Sequence, residues 1–206
     1  MYLKPENRKA GATLSVVNSL TQNMIMALCG IPAALIFFLN KNQKLNDEFR
    51  NYISIVFIFL ILLGAFYFLL PLISQKLHRL TQQLKIDMFI GFFSEYKRVE
   101  LLRILGITFL RYTVFCVQFY AILQFFGVEL SALQALIAIP TTYLFVSFTP
   151  SIAFSEAAVR SSYAVIIIGA FSDHEIAIIL AGISIWLVNF VIPMVVGTVV
   201  IVRKKQ

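Results

Sequence analysis

Long apolar runs alternate with short polar ones along the whole chain. The runs 12–39, 52–73, 101–126 and 176–202 each hold enough apolar residues to cross a bilayer, for which about 20 suffice. Two shorter apolar runs, 131–149 and 154–171, meet at the sequence Thr149–Pro150–Ser151. Residues 74–98 follow another rhythm. Leu77, Leu80, Leu84, Met88 and Gly91 recur three and four apart, with Lys76, Arg79, Gln82, Gln83 and Lys85 mainly between them. That period predicts an amphipathic helix lying on the membrane face or docked under the bundle. The pattern as a whole predicts an all-α, polytopic helical membrane protein: a single integral domain over 1–206, with six membrane segments and one interfacial helix.

The short pair 131–171 carries the candidate chemistry. Pro140 and Pro150 are expected to break its helices, because proline removes a backbone donor and crowds the preceding turn. Thr149 or Ser151 is placed to cap the helix that restarts after Pro150, with Ser155 and Glu156 in or near its first turn. Glu156 and Arg160 stand four apart in the favourable acid-first order. Two readings stay open. The pair is an internal ion bridge that fixes packing, or it belongs with Arg111, Gln118 and Ser155 to a lipid-headgroup or translocation site in which Arg160 and Arg111 face phosphate and Glu156 faces a cationic group or orders an arginine. Whether 131–171 crosses twice or turns back is also open, since both satisfy the same alternation of loops.

Arg111 lies well inside the apolar run 101–126, and Gln118 follows it by seven residues on the same helical face. An arginine there must snorkel, bind an anionic group or pair with an acid such as Glu156. Asn18 and Gln22 share a face of the first segment. In lipid such a face turns toward protein, as glue between helices or as the lining of a pathway.

Composition agrees with the pattern. The 206 residues are 60% hydrophobic and 13% charged, against about 25% charged in a soluble domain. The net charge is +7, but the basic residues cluster between apolar runs. Anionic phospholipid headgroups are therefore the expected partner, and nucleic acid is not. A homo-oligomer or a second membrane protein remains open as a further partner. Residues 74–103 carry a net +3, and the loops 40–50, 127–130 and 172–175 carry +1, −1 and −2. The positive-inside rule then puts both termini and 74–103 in the cytoplasm. The polar start MYLKPENRKAG offers no cleavable signal peptide.

No catalytic residue is assigned. Ser155 and Ser161 lack a nearby histidine base, and His174 has no ligand spacing to another histidine. Cys29 and Cys116 sit in apolar runs and read as small buried side chains. No metal, cofactor or nucleotide is expected, and no enzymatic activity.

Three stretches carry a family resemblance: GATLSVVNSLTQNMIMAL, LRILGITFLRYTVFCVQFYAILQFFGV and FTPSIAFSEAAVRSSYAVIIIG. In this order they resemble the transmembrane region of the lysylphosphatidylglycerol synthase family, a flippase-like domain also found as a stand-alone protein. The first is similar to the family's early helix after a basic loop. The second places Arg111, Gln118, Tyr120 and Gly127 as the family does. The third resembles its proline break followed by a glutamate, here Pro150 and Glu156. Relatives often carry glycines between these two, where this chain has Ser151–Ile152–Ala153–Phe154–Ser155. The chain looks like the later two-thirds of a family member. The resemblance implies a multi-pass protein of the cell inner membrane that moves or binds phospholipids or lipid-linked precursors. It does not extend to the family's soluble synthase domain. The alternative is a non-catalytic scaffold or lipid-binding protein that recruits a partner through its basic cytoplasmic face.

Overall fold

The computed structural model describes residues 5–41, 98–203 and, between 55 and 69, all but 57, 66 and 68. Among the described residues every regular element is helical and there is no strand. The helices are α1 (Pro5–Lys41), α2 (Arg98–Phe125), α3 (Ala132–Phe148), α4 (Ala153–Ile168), α5 (Glu175–Trp186) and α6 (Ile192–Arg203), with a π-turn at Leu187–Val191. The described positions of 55–69 are helical too. The amphipathic helix expected over 74–98 lies outside the described residues, apart from Arg98, which opens α2.

Three stretches are long and apolar enough to cross a membrane: Val17–Leu39, Val99–Phe125 and Glu175–Arg203. Helix α3, with 17 residues, and α4, with 16, are shorter. At 1.5 Å per residue each reaches only about 25 Å, less than the roughly 30 Å of a hydrocarbon core. Helix α6 buries none of its residues, leaving Met194, Val195, Val196 and Ile201 exposed. An apolar helix uncovered by its own fold needs an apolar solvent or a partner.

Helix ends follow local chemistry. Gly127, at φ 79°, closes α2. The Gly127 N–H donates to Gln124 O at 2.9 Å and the Val128 N–H to Leu123 O at 2.9 Å, the paired bonds of a Schellman cap. Leu123 and Val128, the two residues that such a cap brings together, are both fully buried. Ser131 caps α3: its Oγ accepts from the Gln134 N–H at 3.3 Å while Gln134 Oε1 accepts from the Ser131 N–H at 2.9 Å.

The two expected prolines behave differently. Pro150 does separate α3 from α4. Pro140 does not break anything, because α3 runs through it from Ala132 to Phe148. Threonine hydroxyls support the neighbouring turns: Thr141 Oγ1 donates to Ile137 O at 2.7 Å and Thr142 Oγ1 to Ala138 O at 2.8 Å. The carbonyl that Pro140 leaves without its helical donor is that of Leu136, four residues earlier, and the threonines bond the two carbonyls that follow it. Helix α4 also starts differently from expectation. Its N-cap is Ile152, whereas Thr149 ends α3. Thr149 Oγ1 donates backwards to Phe145 O at 2.8 Å. The cap is supplied from inside α4 instead, since Ser155 Oγ accepts from the Ile152 N–H at 3.0 Å.

The Cα positions fall into two compact units, Met1–Leu28 with Lys44–Tyr112 and Cys29–Gln43 with Thr113–Gln206. In the first, Val17, Met24, Tyr67 and Leu101 form the core, flanked by Leu28, Leu63, Ile104 and Leu105. Inside it the Thr21 hydroxyl donates to Val17 O at 2.8 Å and lies 2.9 Å from the Tyr67 hydroxyl. The second unit packs α3 on α4 and α4 on α5. Small residues set two close approaches. A Cβ on Gly182 would lie 2.7 Å from Ser161 Oγ and 3.0 Å from Ser161 Cα. One on Gly30 would lie 2.7 Å from Leu144 Cβ and 3.0 Å from Pro140 O. Glycine at such points lets helices approach where hydrophobic burial does not drive them together.

Gly106, by contrast, has open space around it. Gly30→Ala and Gly182→Ala are each expected to destabilise the fold by about 1–3 kcal/mol through overpacking. Gly106→Ala should stabilise it by about 0.8 kcal/mol through helix propensity. Thermal unfolding of the three variants in detergent checks this. A lower Tm for Gly106→Ala than for the other two contradicts the packing described.

Candidate functional site: a buried ion pair on an aromatic face

The first turns of α4 bring together the acid and base. Arg160 Nη2 donates to Glu156 Oε1 at 2.7 Å. Glu156 sits in the first turn of α4, where the unsatisfied N–H groups favour negative charge. The Arg160 side chain is 9% exposed and that of Glu156 17%. Burial makes the pair interdependent. Neither charge is comfortable in a low dielectric alone, and together their attraction roughly offsets the lost hydration.

The rest of the site is aromatic. The Arg160 guanidinium carbon lies 5.5 Å from the ring centroid of Tyr143, within cation–π range. Tyr143 is itself buried, edge-on to Phe119 at 5.9 Å, and its hydroxyl donates to Phe115 O at 3.2 Å. Nearby on the same two helices, Tyr163 stacks on Phe145 at 5.5 Å, and its hydroxyl lies 2.9 Å from Thr149 Oγ1. Arg160 Nε is buried and has no hydrogen-bond partner among the described residues. The guanidinium therefore has an unused donor beside the one committed to Glu156. A planar fork of this kind suits an oxyanion with two acceptor oxygens.

The other expected residues are distributed as follows. Ser155 is engaged in the start of α4, where its hydroxyl also donates to Ile152 O at 2.9 Å. Arg111 belongs to the first unit and donates through Nη2 to Gln22 Oε1. Its partner is thus an amide on the polar face of α1, while the carboxylate of Glu156 is taken by Arg160. Gln118 is half-buried on α2, in the second unit. Among the described residues no cluster of histidine, cysteine, aspartate and glutamate has the makings of a metal site.

Tyr143 is the contributor the sequence reading did not single out. It lies 17 residues before Arg160 with no helical spacing to connect them. The usable signal is chemical: a buried arginine with one carboxylate still has several N–H groups and a π-face to satisfy.

Comparison of the chain with protein-family models, with curated proteins and with solved structures finds no match.

Removing one member of the pair leaves the other buried and unpaired. Glu156→Gln and Arg160→Met are each expected to destabilise the protein by about 3 kcal/mol, whereas the double substitution Glu156→Leu/Arg160→Met should fold about as stably as the parent. Denaturation of the three variants in detergent reads the coupling. Additive losses in the double variant would show that the pair is not a buried unit.

Proposed function

We propose that the chain is a multi-pass protein of the cell inner membrane that moves phospholipids, or lipid-linked precursors with a phosphate-bearing headgroup, between leaflets. In this reading both termini are cytoplasmic, and the headgroup engages Glu156 and Arg160 while the acyl chains stay in lipid. The observation that carries it is the ion pair Arg160–Glu156, buried beside the Pro150 break with an Arg160 donor unused. Ionisable groups inside an apolar bundle are functional candidates because they are expensive to keep there. The three long apolar stretches and the resemblance of the Pro150–Glu156 segment to flippase-like domains support the same reading.

The chemistry is ion-pair exchange. A phosphodiester and a carboxylate are both oxyanion acceptors for the same guanidinium. A lipid phosphate that takes the free Arg160 donor competes with Glu156 for the other one. Glu156, once released, has a negative charge to offer an ammonium on the headgroup. Tyr143 holds the guanidinium from its other face throughout, so the arginine need not move far. Neither step requires ATP, a metal or a covalent intermediate.

The double variant Glu156→Leu/Arg160→Met isolates function from folding. Reconstituted in vesicles of phosphatidylethanolamine and phosphatidylglycerol, it is expected to move a fluorescent phospholipid across the bilayer at least tenfold more slowly than the parent. A parental rate in the folded double variant would overturn the proposal and leave the pair a packing device.

A further inference from the structure

We propose that the Glu175–Arg203 stretch pairs with the same stretch of a second copy of this chain, across a two-fold axis at which the two Asn189 amides hydrogen-bond each other. The proposal rests on that stretch spanning the membrane and is independent of transport.

Asn189 lies fourteen residues after Glu175 and fourteen before Arg203, the ends of the most apolar of the three long stretches. At about 1.5 Å per residue it stands roughly 21 Å from either end. Half of a hydrocarbon core is about 15 Å, so a side chain as short as asparagine's reaches neither interface. The amide offers two N–H donors and an acceptor oxygen. It is half-buried and makes no hydrogen bond among the described residues. Acyl chains have neither donor nor acceptor to give it, and a polar group left bare in hydrocarbon is costly.

The surface around this amide is apolar and uncovered. Leu187, Val188, Phe190 and Ile192 are exposed. Neither the π-turn Leu187–Val191, which centres on Asn189, nor α6 buries any residue. Further along α6, Gly197 has open space where a side chain would stand, and Val195, Val196, Val199 and Val200 are exposed. Branching at Cβ already fixes the valine rotamers, so packing them against another helix orders little that was free. Small residues and a polar side chain on such a face are what helices in lipid associate through.

Symmetry selects the occupant. Two copies inserted the same way hold Asn189 at the same depth. An amide is self-complementary, so each side chain can donate to the oxygen of the other and one residue satisfies both groups across the axis. A different membrane protein would need its own amide or hydroxyl at a matching depth. A phospholipid keeps its polar atoms at the bilayer surface, away from mid-span. A single buried asparagine pair also fixes the register of the two helices.

The test is energy transfer between full-length copies carrying donor or acceptor at the C-terminus, mixed in vesicles of phosphatidylethanolamine and phosphatidylglycerol over a range of protein-to-lipid ratios. Light scattering in detergent gives the particle mass. The parent is expected to pair, with a protein mass twice that of the 23.3 kDa chain. Asn189→Leu should raise the dissociation constant at least tenfold, and Asn189→Gln, which keeps the amide, should pair nearly as the parent does. Asn189→Ala carries the same expectation as Asn189→Leu should the latter fail to fold. A parent that stays monomeric at every ratio overturns the proposal and leaves the amide to a different membrane protein. An assembly larger than two copies overturns it as well. So does parental pairing by the folded leucine or alanine variant, or loss of pairing in Asn189→Gln.

Discussion

A guanidinium and a carboxylate inside an apolar helical bundle are each costly to leave without the other. That constraint organises the second unit of this protein. Glu156 must fall in the first turn of α4, so the helix has to restart just before it, and Pro150 enforces the restart. Arg160 must follow one turn later, so α4 must be regular there, and Ser155 secures its start by bonding Ile152. The Arg160 guanidinium needs a second surface, and α3 provides the ring of Tyr143. Close approach of α4 to α5, through Ser161 and Gly182, closes the far side of the helix.

Much of this was legible from the chain. The apolar runs, the Pro150 restart, the Glu156–Arg160 spacing and the Gly127 turn are all local. Local signals survive into structure because a period of 3.6 and a missing N–H act within one helix. Pro140 was misread for an instructive reason. Its ring removes one donor, that to Leu136 O, but a single lost bond does not end a helix whose neighbouring turns are intact, and α3 continues. Contacts between distant residues were less legible. Nothing in the sequence joins Tyr143 to Arg160, or Gln22 to Arg111, because helix pairing is set by packing in three dimensions.

The two arginines differ in their partners. Arg160 is neutralised within the chain and carries a spare donor. Arg111 is hydrogen-bonded to the Gln22 amide, an uncharged partner. A charge of the first kind can exchange partners without ever being bare, which is what passage of a headgroup asks for.

The account depends on the Glu156–Arg160 turn lying within the membrane, away from bulk water. The direct measurement is the depth of Ala158, an exposed position in that turn. A nitroxide is attached through Ala158→Cys in a Cys29→Ala/Cys116→Ala background and reconstituted in lipid vesicles. The account predicts frequent collision with oxygen and little with a water-soluble nickel complex, the pattern of a site inside hydrocarbon. Collision with nickel as frequent as at an aqueous loop would contradict it.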